Sequence, residues 1–179
     1  MRRGLFSLAI LCLFSSCGGG GRYGYARTYV ALPDEESHAR RASETIYDEV
    51  RRMPEHFRGQ TISWFGIVTG VTVEGALHRV AMQVRTHQDR HICEDETEAS
   101  CRVTVSERDG GPFTAIVRLR GDDAGGENRI QPNSLVRVYG ELLVGEYDSN
   151  GGPLVRTVYY RHWPVGQYFT TAARGSFRR

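Results

Sequence analysis

Lysine is absent from the 179 residues, so all 23 basic side chains are arginine, and I-L-V-rich stretches long enough to cross a bilayer are absent too. The longest apolar run, Leu5 to Phe14, is too short for a permanent membrane helix. No GK[ST] follows a glycine-rich turn, so GDDAGGEN is not a phosphate loop, and neither HExxH nor a serine in a nucleophile-elbow setting occurs. A surplus of positive charge is also missing once the first residues are set aside: losing Arg2 and Arg3 leaves 21 basic residues against 21 acidic ones. A chain balanced in this way lacks the overall charge that displaces counterions from phosphates, and nucleic acid is not an expected partner.

What is present begins with an address. MRRGLFSLAILCLFSSC has two arginines, an apolar segment and small residues up to Cys17, the three-part pattern of a secretory signal. With Ser15 and Ser16 before Cys17, it resembles a bacterial lipoprotein signal, which implies removal of residues 1–16 and acylation of Cys17. Cys12 follows the bulky Leu11 and does not compete. Diacylglycerol with an amide-linked chain buries many methylenes at about 0.8 kcal/mol each, so the membrane is the expected partner through that lipid. Residues 17–33, rich in glycine and tyrosine, read as a flexible tether, with Tyr23, Tyr25 and Tyr29 as solvated linker residues and docking on a partner or the membrane surface as the alternative.

Residues 34–165 read as one domain and 166–179 as a tail. From Asp34 to Met53, Ile46, Tyr47, Val50 and Met53 stand at helical spacing, with Asp34, Glu35 and Glu36 suited to the positive end of a helix. One amphipathic helix, strongest from Ser43 to Arg52 and stopped by Pro54, is expected. Strand patterns follow at Thr61–Val73, Arg79–His87, Cys101–Arg108, Phe113–Arg120, Leu135–Tyr147 and Leu154–Pro164, separated by RDGGP, GDDAGGEN and SNGG as turns. Gly66 and Gly70 suggest a bent or bulged first strand. The pattern predicts a mainly β protein: a small OB-like antiparallel barrel preceded by the helix, with a β-sandwich as the alternative. IQPNSLVRVYGEL resembles the turn and entry to the fourth strand of an OB-fold.

ETIYDEVRRMPEHFRGQTISWFGIVTGV, with Pro54, Phe57, Gly59, Gln60, Trp64 and Gly66, together with LVRVYGELLVGEY and VYYRHWP, resembles the Slp family of outer-membrane lipoproteins. The resemblance covers the helix, the first strand and the last third, and departs in the middle. It implies a lipid-anchored protein of the bacterial cell envelope, in the outer membrane, without a catalytic centre. The absence of Asp directly after Cys17 points the same way.

The densest chemistry lies in HQDRHICEDETEASC, His87 to Cys101. His87, His91, Cys93 and Cys101 have the chemistry of a zinc set, but their spacing is not that of two tight ligand pairs. In an oxidising compartment, with Cys12 removed and Cys17 acylated, Cys93 and Cys101 are the remaining thiols and are expected to form a disulfide, so no cofactor is expected; a metal-binding periplasmic protein using His87, His91, Cys93 and Cys101 is the alternative. Glu94, Asp95, Glu96 and Glu98 then make an exposed acidic tip, or a docking point for a basic partner. Asp122 and Asp123 read as turn residues rather than an acid-base pair. Arg137, Arg156, Tyr159, Arg161 and Trp163 form a possible ligand face for a glycan, another anionic polymer or an envelope protein; the plainer alternative has the aromatics filling the barrel and the arginines facing water. The expectation is binding or envelope maintenance, not an enzyme.

Overall fold

A computed structural model describes residues 29–92 and 102–172. Cys17, Cys93, Cys101 and the acidic residues 94–98 therefore lie outside the described residues, and of His91 only the backbone is described.

The chain order is α1 (Glu36–Ala39), β1 (Ser43–Glu44), α2 (Tyr47–Arg52), a 3-10 turn (Pro54–Phe57), β2 (Thr61–Glu74), β3 (Leu77–Ile92), β4 (Arg102–Val117), α3 (Gly121–Gly125), β5 (Leu135–Tyr147), β6 (Pro153–Trp163) and β7 (Tyr168–Thr170). Hydrogen bonding runs β2-β3-β4-β6-β5 and closes through β5 back to β2. All these pairs are antiparallel except β4 with β6, where Thr114, Ala115 and Ile116 lie parallel to Leu154, Val155 and Arg156. This is a closed five-stranded OB-like barrel, and closure leaves its five strands no free edge along the shared length.

Alternation along the strands divides the side chains. Ile62, Trp64 and Val68 of β2, Val80 and Met82 of β3, Phe113 and Ala115 of β4, Val136 and Val138 of β5, and Val155 and Tyr160 of β6 fill the interior. Gly66 is required there: a Cβ would stand 2.8 Å from the Phe113 ring and 2.9 Å from Met82. The expected bulge falls two residues later, where the β2–β3 register slips between Val68 and Gly70. Asn133 takes the left-handed conformation, φ 69°, in the PNS turn that enters β5, and its amide bonds the Val68 carbonyl at 2.9 Å.

Three local expectations change. RDGGP is not a turn: β4 runs through it, bulged against β3, because Gly110 and Gly111 let the Tyr47 ring lie against the backbone while its hydroxyl bonds the Pro112 carbonyl at 2.6 Å. The helix is shorter than its periodicity suggests. Ser43 and Glu44 instead pair in parallel with Ile62 and Ser63, and the Thr45 carbonyl accepts the Trp64 indole N–H at 2.8 Å, so α2 starts only at Tyr47. The folded body also reaches past residue 165, since β7 adds to β4 at Val103–Val105 and buries part of Tyr168 beside a second apolar cluster of Phe65, Val103, Val105, Leu135 and Trp163.

Candidate functional site

The outward faces of β2, β5 and β6 carry Ser63 and Phe65, Arg137 and Tyr139, and Tyr159, Arg161 and Trp163. Cross-strand pairing places Arg137 opposite Arg161 and Tyr139 opposite Tyr159. Side chains at such positions would ordinarily meet solvent. Here residues 29–39 cross this face as a strap, and Arg137 and Arg161 are only 6 % and 4 % exposed.

The strap brings a carboxylate with it. Glu35 is fully buried. Its carboxylate accepts hydrogen bonds from the Tyr29 hydroxyl at 2.6 and 2.8 Å, the Tyr139 hydroxyl at 2.5 Å, the Leu32 amide at 3.1 Å and the Arg161 guanidinium at 3.3 Å. Arg137 is farther off at 3.9 Å and donates to Ser63 Oγ at 3.0 Å. Both guanidiniums also lie over aromatic faces: Arg137 is 4.3 Å from the Tyr29 ring centre and 4.8 Å from that of Phe65, and Arg161 is 4.7 Å from Trp163. Burial, reinforced by the neighbouring Glu35 charge, pushes the Tyr29 hydroxyl far above its ordinary range, and burial does the same for Tyr139. Both phenols stay protonated and act as donors. At the other end of the strap, His38 stacks on Tyr159 with ring centres 4.8 Å apart, and the Tyr159 hydroxyl donates to Asp34 at 2.9 Å.

Of the five proposed ligand-face residues, Arg137, Arg161, Trp163 and Tyr159 therefore converge, but beneath the strap rather than open to solvent. Arg156 stays exposed, on the far side of the β6 irregularity that follows Thr157, and does not join them. His87 stacks on Phe65 at 5.2 Å and meets Tyr29 edge-on at 5.4 Å. Among the described residues, no cluster of three or more His, Cys, Asp or Glu side chains could hold a metal ion.

Beside this cluster the strap leaves a cleft of about 700 Å³. Tyr29, Ala31 and Ala39 form its strap side; Thr45 to Asp48 form another wall; Ser63, Trp64, Phe65, Arg85, His87 and Arg137 contribute from the sheet. The volume falls within the range of small-molecule sites. Two buried polar atoms on its lining residues, Thr45 Oγ1 and Arg85 Nε, have no hydrogen-bond partner, although Arg85 Nη1 stands 3.6 Å from Asp109.

A third group lies apart from the cleft. His162 Nδ1 is 2.7 Å from Asp123 Oδ1, and Tyr160 donates to Asp123 Oδ2 at 2.7 Å. Arg120 holds the same corner, its amide bonding the Tyr160 hydroxyl at 2.9 Å and its guanidinium the Tyr160 carbonyl at 2.6 Å. Burial raises the Asp123 pKa, but the hydrogen bonds from His162 and Tyr160 outweigh it and bring the carboxyl below its ordinary range. Asp123 is thus not only a turn residue: it fastens α3 to the end of β6.

Sequence reasoning missed Glu35 and Arg85, and it placed Tyr29 in a solvated tether, whereas the ring is half-buried against Phe65 and Trp163 with its hydroxyl on Glu35. The available signal was the pair of arginines at outward positions of adjacent strands, which demand a carboxylate from elsewhere if anything covers them.

No family model matches this chain, and no curated protein does. A solved structure from Leishmania major, assigned as an aspartyl-tRNA synthetase, is similar over 70 % of this chain and 21 % of that one, with 14 % identity and a TM-score of 0.42.

Proposed function

We propose that the protein is a lipid-anchored lipoprotein of the bacterial cell envelope, held in the outer membrane through Cys17, that works by binding rather than by catalysis. The observation that carries the binding reading is the cleft walled by the strap, one small-molecule-sized space lined by aromatic side chains and by Arg85 and Arg137. The most enzyme-like pair, Asp123 with His162, does not line it. Its acid and base groups are committed to fastening α3.

The address rests on the signal pattern ending at Cys17 and on the resemblance to Slp-type lipoproteins. Eleven residues lie between Cys17 and Tyr29, a reach of at most roughly 40 Å when extended. Anchoring at Cys17 would therefore keep the cleft close to the lipid headgroups.

Metabolic labelling with a fatty acid and membrane fractionation test the anchor: wild type should carry label and sediment with outer membrane, and Cys17→Ala should lose both. A fragment screen by ligand-observed NMR on the detergent-solubilised mature protein tests the cleft. Hits should vanish in Ala39→Trp, which fills the strap side. A screen with no hit sensitive to that substitution would remove the binding reading.

A further inference from the structure

Resting on the lipid anchor of that reading, we infer that Arg174, Arg178 and Arg179 form a second membrane contact, docking on anionic phospholipid headgroups beside the anchor. The fold brings the two outgoing ends of the chain together. The described residues begin at Tyr29 and end at Ala172. Tyr29 and Tyr168 both pack on the apolar cluster of Phe65, Val103, Val105, Leu135 and Trp163. Strand pairing ties the two exits more closely: Thr170 is paired with Val105, Val105 with His87, and the His87 ring stands 5.4 Å from that of Tyr29. With neighbouring strands about 4.8 Å apart, Tyr29 and Thr170 lie within roughly 20 Å of each other.

What leaves at each exit differs in chemistry. Upstream of Tyr29, eleven residues lead back to Cys17. Downstream of Ala172 the sequence is ARGSFRR, with three arginines, one phenylalanine and no acidic residue. An acyl group at Cys17 holds that basic segment over the headgroups at a high effective concentration, so weak contacts suffice. Each arginine near an anionic surface multiplies the partition several fold, and Phe177 adds an apolar side chain for the interface. The acidic residues Glu94, Asp95, Glu96 and Glu98 are not ahead of it: β7 runs parallel to β4 and heads away from residues 93–101. Along its path Asp109 is paired with Arg85, and Glu107 is followed by Arg108. Lipid phosphate is then the abundant anion on that side.

Co-sedimentation with vesicles tests this on the mature chain carrying Cys17→Ser, which has no lipid of its own. Partition onto vesicles of phosphatidylcholine with equimolar phosphatidylglycerol should exceed that onto pure phosphatidylcholine about tenfold or more, and should collapse at high salt. Combining Arg174→Gln, Arg178→Gln and Arg179→Gln should remove the preference. Combining Arg52→Gln, Arg118→Gln and Arg156→Gln takes the same charge from exposed positions on the body and should leave it. Equal partition onto both vesicle types, or equal losses from the two triple variants, overturns the contact. On phosphatidylglycerol nanodiscs with a nitroxide headgroup, the amides of Tyr168 to Thr170 should broaden. That of Gly75, ten residues beyond Phe65 along β2 and so on the order of 30 Å away, should not; the reverse pattern also overturns it. Fatty-acid labelling decides the anchor separately: vesicle binding without label leaves the contact and removes the anchor, and label without vesicle binding does the opposite.

Discussion

Glu35 meets two tyrosine hydroxyls, an amide and a guanidinium with one carboxylate. Removing that charge leaves Arg161 and Arg137 buried beside phenols that cannot neutralise them, and breaking such a buried pair costs about 3–5 kcal/mol. Glu35→Gln should lower the free energy of unfolding by about that amount in denaturant titration, whereas Glu36→Gln, on an exposed side chain paired only with Arg40, should change it by less than about 0.5 kcal/mol. Two pH limbs follow from residues nearby. The Asp123 pKa lies below its ordinary 3.8, so the folded protein binds fewer protons than the unfolded chain around that pH. Its contribution is complete above that value and is lost as pH falls through the folded pKa. Asp123→Asn should flatten the acid limb of stability. Burial, together with the hydrogen bond to Asp34, pushes the Tyr159 hydroxyl up to about 12, so folding holds a proton that the unfolded chain releases near 10. Stability should fall between those values, and Tyr159→Phe should remove that share of the alkaline slope. None of these roles could be read at the residue itself. Glu35 sits in DEES, where three acidic residues look alike, and only a partner over a hundred positions away distinguishes the buried one.

Elements were more legible than residues, because period-two alternation and branched side chains report directly on a half-buried pleat. β5 spans Leu135–Tyr147 as the pattern predicts, and β2 differs by a single residue. The errors cluster where tertiary contacts outvote local preference. RDGGP has turn composition, yet its glycines serve close packing: a Cβ on Gly111 would stand 2.3 Å from the Tyr47 ring, at a backbone φ of 128°. Gly111→Ala should therefore destabilise by more than about 2 kcal/mol. Gly75, at the β2–β3 turn with φ 61° and open space around it, makes the contrast. Gly75→Asn should cost less than about 1 kcal/mol, since asparagine tolerates that conformation. Thermal unfolding of the two variants side by side separates a glycine needed for room from one needed only for its turn.

For the whole molecule, the barrel class followed from strand count, bent first strand and turn chemistry, while the strap did not, because nothing in a glycine- and tyrosine-rich segment announces that its last tyrosine packs half-buried on the sheet. The described hairpin ends with Ile92 paired to Arg102, the residues next in sequence to Cys93 and Cys101. The disulfide expected from the sequence between those cysteines predicts that mass spectrometry of the native protein will show two hydrogens fewer than the reduced form, with no titratable thiol until a reductant is added. The strap has a further consequence, one of timing. Its Glu35 must wait for Tyr139 and Arg161, 104 and 126 positions further along, so the first part of the folded body to be made is among the last to settle. Glu35→Gln should consequently speed unfolding and leave the refolding rate nearly unchanged. A chain exported amino end first would travel with this carboxylate in water until the barrel behind it has closed.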